Sequence, residues 1–417
     1  MTIDRAGIAP STRVRDYVER FDRFLRDTVA PAEEHLADQG AGTPWQPALD
    51  DAGRMHGTVW QARREVQRRA AAAGLYTPHM PTELGGSGFS RVEMMHVEEH
   101  VYHVGGLGLG LAALAWTEGP GPHLAHVGEP ARRRLLEPLM AAETTAAFAN
   151  TEPHAGSDVL GMTTRATRDG QHWVIDGRKA WITNAHFCDT VAVVAVTEPG
   201  AGSRSLSMFL VESDRPGFSR GPDYPTMLDD GLTGELNFDG VRVPDENRVG
   251  EVGQGFALAM TYINWRRMCR GGMCAGWGAL LLERAVRRAR SRRSGGRPIG
   301  ELQVVGHQLA DMDADVYSAR AMSLQAQSEL DALGPFTIPL PPQARRLVSL
   351  IKVVNDEAFF RVADRAVALH GASGLGLGSV EEKLFRVARD LKIPAGTVEI
   401  QRNAIAQALL AGPDTRP

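Results

Sequence analysis

The hydrophobic period of this chain changes twice, and that limits what it can fold into. From about residue 12 to residue 139 apolar side chains recur three and four apart, as in R-D-Y-V-E-R-F-D-R-F-L and Q-A-R-R-E-V-Q-R-R-A-A-A-A-G-L, the second running into a glycine stop. From 146 to about 244 the texture becomes short alternating or β-branched runs, among them T-V-A-V-V-A-V and S-L-S-M-F-L-V, separated by Gly, Pro and Asp. The helical period then returns over 256–293, 302–333, 342–371 and 396–410. At 417 residues the chain is too long for one core. The pattern predicts an α+β protein of three units: an N-terminal α-helical domain over 1–145, a middle β-domain over 146–248, and a C-terminal four-helix bundle over 249–417. Within the first unit, the polar, Pro- and Gly-punctuated stretch 43–56 reads as an insertion between helices.

A formal net charge of −4 gives no electrostatic case for a nucleic-acid partner. The run R-R-A-R-S-R-R at 287–293 reads as the solvated or phosphate-facing side of one helix. No apolar run reaches the roughly 18 residues that span a bilayer, and the N-terminus has no basic segment followed by an apolar one, so a soluble, cytoplasmic protein without a membrane partner is expected. The three cysteines, Cys188, Cys269 and Cys274, lack metal-binding spacing and read as buried thiols.

Two stretches carry chemistry. Residues 148–158, F-A-N-T-E-P-H-A-G-S-D, combine a short apolar strand, a rigid Glu-Pro step and a turn of small residues. They offer the Thr151 hydroxyl and turn N–H groups to an anionic or carbonyl-rich planar ligand. Residues 179–184, K-A-W-I-T-N, space an indole and a hydroxyl two apart, which on a regular strand places Trp181 and Thr183 on one face.

Together these stretches resemble the flavin-binding signatures of the acyl-CoA dehydrogenase family. The resemblance covers nearly the whole chain: P-T-E-L-G-G-S-G at 81–88, F-L-V-E-S-D-R-P-G-F at 209–218, F-D-G-V-R-V-P at 238–244, G-Q-G-F at 253–256, H-Q-L-A-D-M at 307–312, L-H-G-A-S-G at 369–374 and G-T-V-E-I-Q-R at 396–402. It implies a helical domain, a β-barrel or sandwich and a helical bundle, bound FAD, and a homo-oligomer, dimer or tetramer. It also implies an acyl-CoA or acyl-carrier-protein substrate and an electron acceptor such as an electron-transfer flavoprotein.

Carried over one residue at a time, the resemblance gives Thr151 the flavin pyrimidine edge, Trp181 the isoalloxazine face and Thr183 flavin N5. Ser157 falls where both cofactor and acyl-CoA are contacted. Arg292 resembles the arginine that reaches the FAD pyrophosphate of a neighbouring subunit, although the family's R-x-x-F-G reads R-R-S-G-G here. Gln303, Gly371, Thr397 and Glu399 fall at further FAD-contact positions. On the substrate side, Asn264 stands where many members have a CoA-contacting aspartate, and Arg267 matches an arginine kept beside the active site.

The departure lies in the base. Most members read Y-E-G-T where this chain reads P-A-G-T, so Ala395 replaces the catalytic glutamate, and Arg266 stands where other branches carry theirs. Desaturation of a thioester needs a base for a weakly acidic α-proton, a role typically worth about 10²–10⁴-fold. A methyl cannot fill it, and neither can a permanently protonated guanidinium. His154, His370, Asp229 and Asp230 are the substitutes the sequence offers. Three readings follow: an FAD-dependent α,β-desaturation with a non-standard base; a different reaction on the same scaffold, a monooxygenase or thioester lyase, with Arg266 holding an anionic substrate group; or a non-catalytic partner subunit of a heteromeric dehydrogenase.

Overall fold

The computed structural model describes residues 9–43 and 46–411. Its first helix, Thr12–Phe24, starts where the Ser11 hydroxyl accepts the Val14 N–H, and passes through a wider turn, Leu25–Val29, into Ala30–Asp38. Helix Arg91–Val104 opens on a capping box between Ser90 and Glu93. Tyr17 and Phe21 of the first helix, Val66 and Ala70 of Gly57–Ala72, and Val97 and Val101 of Arg91–Val104 meet in one apolar core. The punctuated stretch before Gly57 forms a minimal hairpin, Gly42–Thr43 against Gln46–Pro47, closed by a bridge between Leu49 and Met55; Pro44 and Trp45 lie outside the described residues.

The β-rich region forms one sheet. Its strands lie in the order Arg248–Val249, Leu206–Glu212, Thr190–Val196, Arg165–Asp169, His172–Thr183, Thr233–Pro244 and Phe218–Asp223, with Ala146–Ala149 added parallel to Thr190–Val196. The sheet curls, because Ile175, Val193, Phe209, Leu236 and Val241 from four strands close on a single core. The other face of Thr190–Val196 gives Ala192 and Val194 to a second core with Leu135, Leu139 and Leu258. Burial on both faces explains why this strand reads as a continuous apolar run and not as an alternation.

After the short helix Gly255–Met268 come Arg270–Ser291, Gln303–Asp331, Arg345–His370 and Val380–Leu391. These four share one core, from Met273, Val316 and Phe359 to Leu384, and Val398–Leu410 packs against Arg345–His370. A buried charge cluster crosses the bundle, with Lys352 2.6 Å from Asp356 and Asp356 3.5 Å from Arg270.

The basic run does not lie on one helix. The helix ends at Ser291; Arg292 is the first residue beyond it, in extended backbone (ψ 131°), and Arg293 belongs to a two-residue strand. The break falls just before Gly295 and Gly296, both at positive φ, where the helix cannot continue. All three cysteines are free and buried. Among the described residues no helix is long and apolar enough to cross a membrane.

Candidate functional site

The two chemistry-bearing stretches lie side by side, joined by three hydrogen bonds, and a fourth ties the second stretch to the strand residue Ala146 just before the first. The Ala180 N–H donates to the Thr151 carbonyl at 2.9 Å and the Asn184 side-chain amide to the Ala146 carbonyl at 2.8 Å. Lys179 Nζ donates to the Asn150 carbonyl at 3.1 Å and to Glu152 at 2.9 Å. Both members of that ion pair are buried. Glu152 also accepts from the Thr163 N–H and hydroxyl and from the Thr164 N–H, at 2.7, 2.8 and 2.9 Å. Burial alone would raise the Glu152 carboxyl, but Lys179 and these donors outweigh it and hold it at about 2. Burial lowers Lys179 to about 8 against the pull of Glu152, so both are charged at neutral pH. The pair pins the T-E-P step to the strand, and a reciprocal pair of backbone hydrogen bonds between Glu152 and Ala155 tightens the turn that exposes His154, Gly156 and Ser157.

Regular alternation does not place Trp181. The register of His172–Thr183 against Thr233–Pro244 slips between Lys179 and Ile182, and Trp181 has φ 58°. This bulge buries Lys179 and Ala180 in succession and leaves Trp181 58% exposed, with Ile182 buried and Thr183 half-buried beyond it. The indole stacks on Tyr224 at 4.4 Å between centroids. The Thr151 and Thr183 hydroxyls make no side-chain hydrogen bond among the described residues. An uncovered indole in strained backbone, two uncommitted hydroxyls and a turn of free N–H groups fit a planar, carbonyl-bearing ring such as that of FAD.

A second group adjoins the first. Phe148 stacks on Tyr262 at 4.2 Å, one turn before Arg266. The Arg267 Nε donates to the Ala395 carbonyl at 2.8 Å, and its Nη1 to Asn264 at 3.0 Å. Burial, with Arg345 nearby, lowers the Arg267 guanidinium to about 10. Ala395 has φ 61°, and Gly396 after it (φ 80°) has no room for a side chain, since a Cβ would lie 2.9 Å from the Arg267 guanidinium. Thr397 caps Val398–Leu410, with exposed Glu399 in its first turn. Arg266 turns the other way, over the Trp116 ring and 5.3 Å from the Trp265 ring centre.

The third group stands at the end of the bundle. Arg288, one turn before Arg292, donates to the His370 carbonyl, and Gly371 follows at φ 63°. Arg292 and Gln303 are exposed there. Among the described residues no hydrogen bond, ion pair or ring contact links Arg292, Gln303 or Gly371 to Trp181 or Thr183.

Of the substitute bases, His154 is exposed on the turn, and His370 bonds the Ala366 carbonyl at 2.8 Å and lies 3.2 Å from Glu381. Asp230 accepts the Leu232 N–H at 3.2 Å, and its carboxyl is raised by burial; Asp229 has φ 53° in the same loop. Three buried groups escaped the sequence reading, Glu98 and His79 beside Arg266 and His123 against Tyr262. Burial raises Glu98 to about 7, against Cys269, Arg266 and Arg270. Burial lowers His79 to about 4 and His123 to about 3, and neither ring nitrogen of His123 has a partner among the described residues. The signal for Glu98 was there: it shares a helical stripe with Met94, Met95, Val101 and Tyr102, all buried.

Family models match along the chain: the acyl-CoA dehydrogenase N-terminal domain over 46–143, the middle domain over 147–241 and the C-terminal domain over 253–410. The chain is 31% identical to "Probable acyl-CoA dehydrogenase YngJ" of Bacillus subtilis (strain 168) over 93% of its own length and 95% of that protein. It superposes with a TM-score of 0.82 on a probable acyl CoA dehydrogenase from Mycobacterium abscessus, at 28% identity, covering 96% of this chain and 99% of that one. It superposes at 0.79 on an acyl-CoA dehydrogenase complexed with FAD from Bacillus anthracis, at 26% identity, covering 96% of this chain and 67% of that one.

Proposed function

This chain belongs to the acyl-CoA dehydrogenase family, and on that premise we propose that it is an FAD-dependent oxidoreductase that desaturates an acyl thioester with a base other than the family glutamate. The observation that carries the reading is the set of three hydrogen bonds that holds the T-E-P turn beside a bulged strand whose Trp181 indole is more than half exposed. Bound FAD supplies a hydride acceptor. Thr151 and Thr183 would hold its ring edge through their free hydroxyls, Trp181 would cover its face, and the Ser157 turn would donate to cofactor and thioester alike. Thr397 and Glu399 would reach the cofactor from the loop that Arg267 ties down.

Arg292, Gln303 and Gly371 would serve the flavin of a neighbouring copy in a homodimer or homotetramer. Their exposure at the bundle end, apart from Trp181, supports that reading, as do the uncovered Leu302, Val304 and Tyr317 on the adjoining helix. The thioester would be acyl-CoA or acyl-carrier protein, the acceptor an electron-transfer flavoprotein, and the compartment the cytoplasm.

One observation favours a second reading, a reaction that takes no α-proton. Neither Ala395 nor Arg266 can accept one, and His370 is committed to Ala366 and Glu381. Purified yellow enzyme mixed anaerobically with a panel of saturated acyl-CoAs tests both. Bleaching of the flavin is expected. Retained FAD that no acyl-CoA bleaches would overturn the desaturation reading, and a colourless chain would point to a partner subunit.

A further inference from the structure

Among the described residues the buried cations are all partnered except one. Lys179 has Glu152, Lys352 has Asp356, Arg270 has Asp356, and Arg91 has Asp331 with three backbone carbonyls. Arg64 bonds Gln67 and the Ala142 carbonyl, Arg267 the Ala395 carbonyl, and Lys383 the Leu228 carbonyl. Arg266, 8% accessible, has neither a hydrogen bond nor an ion pair among the described residues, and its Nη1 is sealed from solvent without an acceptor. A buried donor is normally satisfied, and a buried charge is normally paired. Glu98 is a carboxylate whose field reaches Arg266, yet among the described residues no ion pair joins the two.

The surroundings say what would satisfy it. Trp116 covers a face of the guanidinium and the Trp265 ring centre lies 5.3 Å away, and aromatic faces leave the N–H edges still to be bonded. A guanidinium edge matches a planar oxyanion, two N–H groups to two oxygens. The place is next to the proposed thioester site: Arg267 holds the Ala395 loop, and Tyr262 stacks on Phe148 three residues before Thr151. Trp265 packs edge to face against both Trp116 and Tyr262, so the guanidinium sits in an aromatic cluster.

We propose that Arg266 is a specificity residue that pairs with a carboxylate on the acyl group, so that this enzyme selects ω-carboxyacyl thioesters over neutral ones of the same length. The inference rests on the acyl-thioester reading above. Its test is a binding titration of the FAD-loaded, full-length protein, followed by calorimetry and flavin spectral perturbation, with succinyl-CoA and glutaryl-CoA against butyryl-CoA and valeryl-CoA. The coenzyme's charge is common to all four.

The parent should bind the carboxylates roughly ten-fold or more tightly than their neutral counterparts, as a charge-assisted hydrogen-bond pair allows. Arg266→Gln should abolish that preference while binding the neutral pair within about three-fold of the parent, and Arg266→Lys should keep part of it as a point charge. Thermal melts of both variants establish that they fold. Equal binding of charged and neutral thioesters by the parent, or discrimination that survives in Arg266→Gln, overturns the proposal and leaves the thioester reading standing. If none of the four binds to protein that retains FAD, the thioester reading fails and takes the proposal with it.

Discussion

The side chain of Arg267 donates a 2.8 Å hydrogen bond to the main chain of Ala395, so it holds in place the loop where the family resemblance puts the catalytic glutamate and this chain has a methyl. The loop's backbone is committed as well: Ala395 has φ 61°, Gly396 has φ 80°, and Thr397 caps the next helix through its hydroxyl. Arg266, next to it in the chain, has no such acceptor among the described residues.

The Glu152–Lys179 pair should be asymmetric to mutation. Glu152→Met strands four donors, the Lys179 ammonium, the Thr163 N–H and hydroxyl, and the Thr164 N–H. Lys179→Met leaves the carboxylate with three of its four donors. Breaking a buried pair costs about 3–5 kcal/mol, and we expect Glu152→Met at that level and Lys179→Met at about half of it. Urea unfolding monitored by circular dichroism measures the difference, and equal costs would show that the threonine donors carry little.

Trp181 should matter to the cofactor and hardly at all to the fold. The side chain is 58% exposed and its backbone lies at φ 58°, a conformation that costs a non-glycine residue roughly 1–2 kcal/mol. Trp181→Gly should therefore leave the melting temperature of FAD-free protein equal or slightly higher. Trp181→Ala combined with Thr183→Ala should lower FAD occupancy after gel filtration and shift the flavin spectrum. Unchanged FAD content in the double variant would refute the assignment.

Acid should destabilise the protein through His79 and His123. Burial depresses both from the ordinary 6.5, to about 4 and about 3, so the unfolded chain binds their protons first. Their stabilising contribution is complete above pH 6.5 and is lost as pH falls through the folded values, by about 2 kcal/mol each at pH 5. His123→Phe keeps an aromatic ring against Phe148 and Tyr262 and removes one of the two titrations. Its stability should fall less than the parent's between pH 7.5 and 5, by about 2 kcal/mol, read from urea midpoints; parallel pH curves would exclude His123 as a buried neutral group.

How much of this was legible in the sequence depended on the range of the interaction. The change of period at 146 marked the sheet because periodicity is local, and the strand run T-V-A-V-V-A-V is apolar throughout because two cores flank it. The bulge at Ala180 and Trp181 was not legible, since the slip is set by the partner strand and not by K-A-W-I-T-N itself. Nor was the end of the helix at Ser291, where basic residues continue without pause into extended backbone. The isolation of Arg266 could be seen only once the partners of every other buried cation had been placed. The two-residue distance between Arg266 and Asn264 in sequence says nothing of Trp116, which comes from a different part of the chain.

The hydrogen bond from Arg267 to the Ala395 carbonyl supplies the most direct test of mechanism. In Ala395→Glu the new side chain meets no new backbone cost, because alanine already occupies the left-handed conformation that a Cβ resists. Arg267 fixes the carbonyl of the same residue, and Gly396 keeps the following turn, so the carboxylate leaves a backbone that does not have to move. If the family's frame is intact, desaturation of at least one saturated acyl-CoA should rise by roughly ten-fold or more, short of the full general-base contribution because Pro394 replaces the family's tyrosine beside it. Anaerobic flavin bleaching in a stopped-flow spectrometer measures the gain. A parent that already bleaches at the variant's rate would mean that a base elsewhere performs the step, with His154→Ala as the next variant to compare. A variant that binds FAD and acyl-CoA yet never bleaches would mean that residue 395 does not face the α-carbon, and the frame held by Arg267 would then serve structure alone.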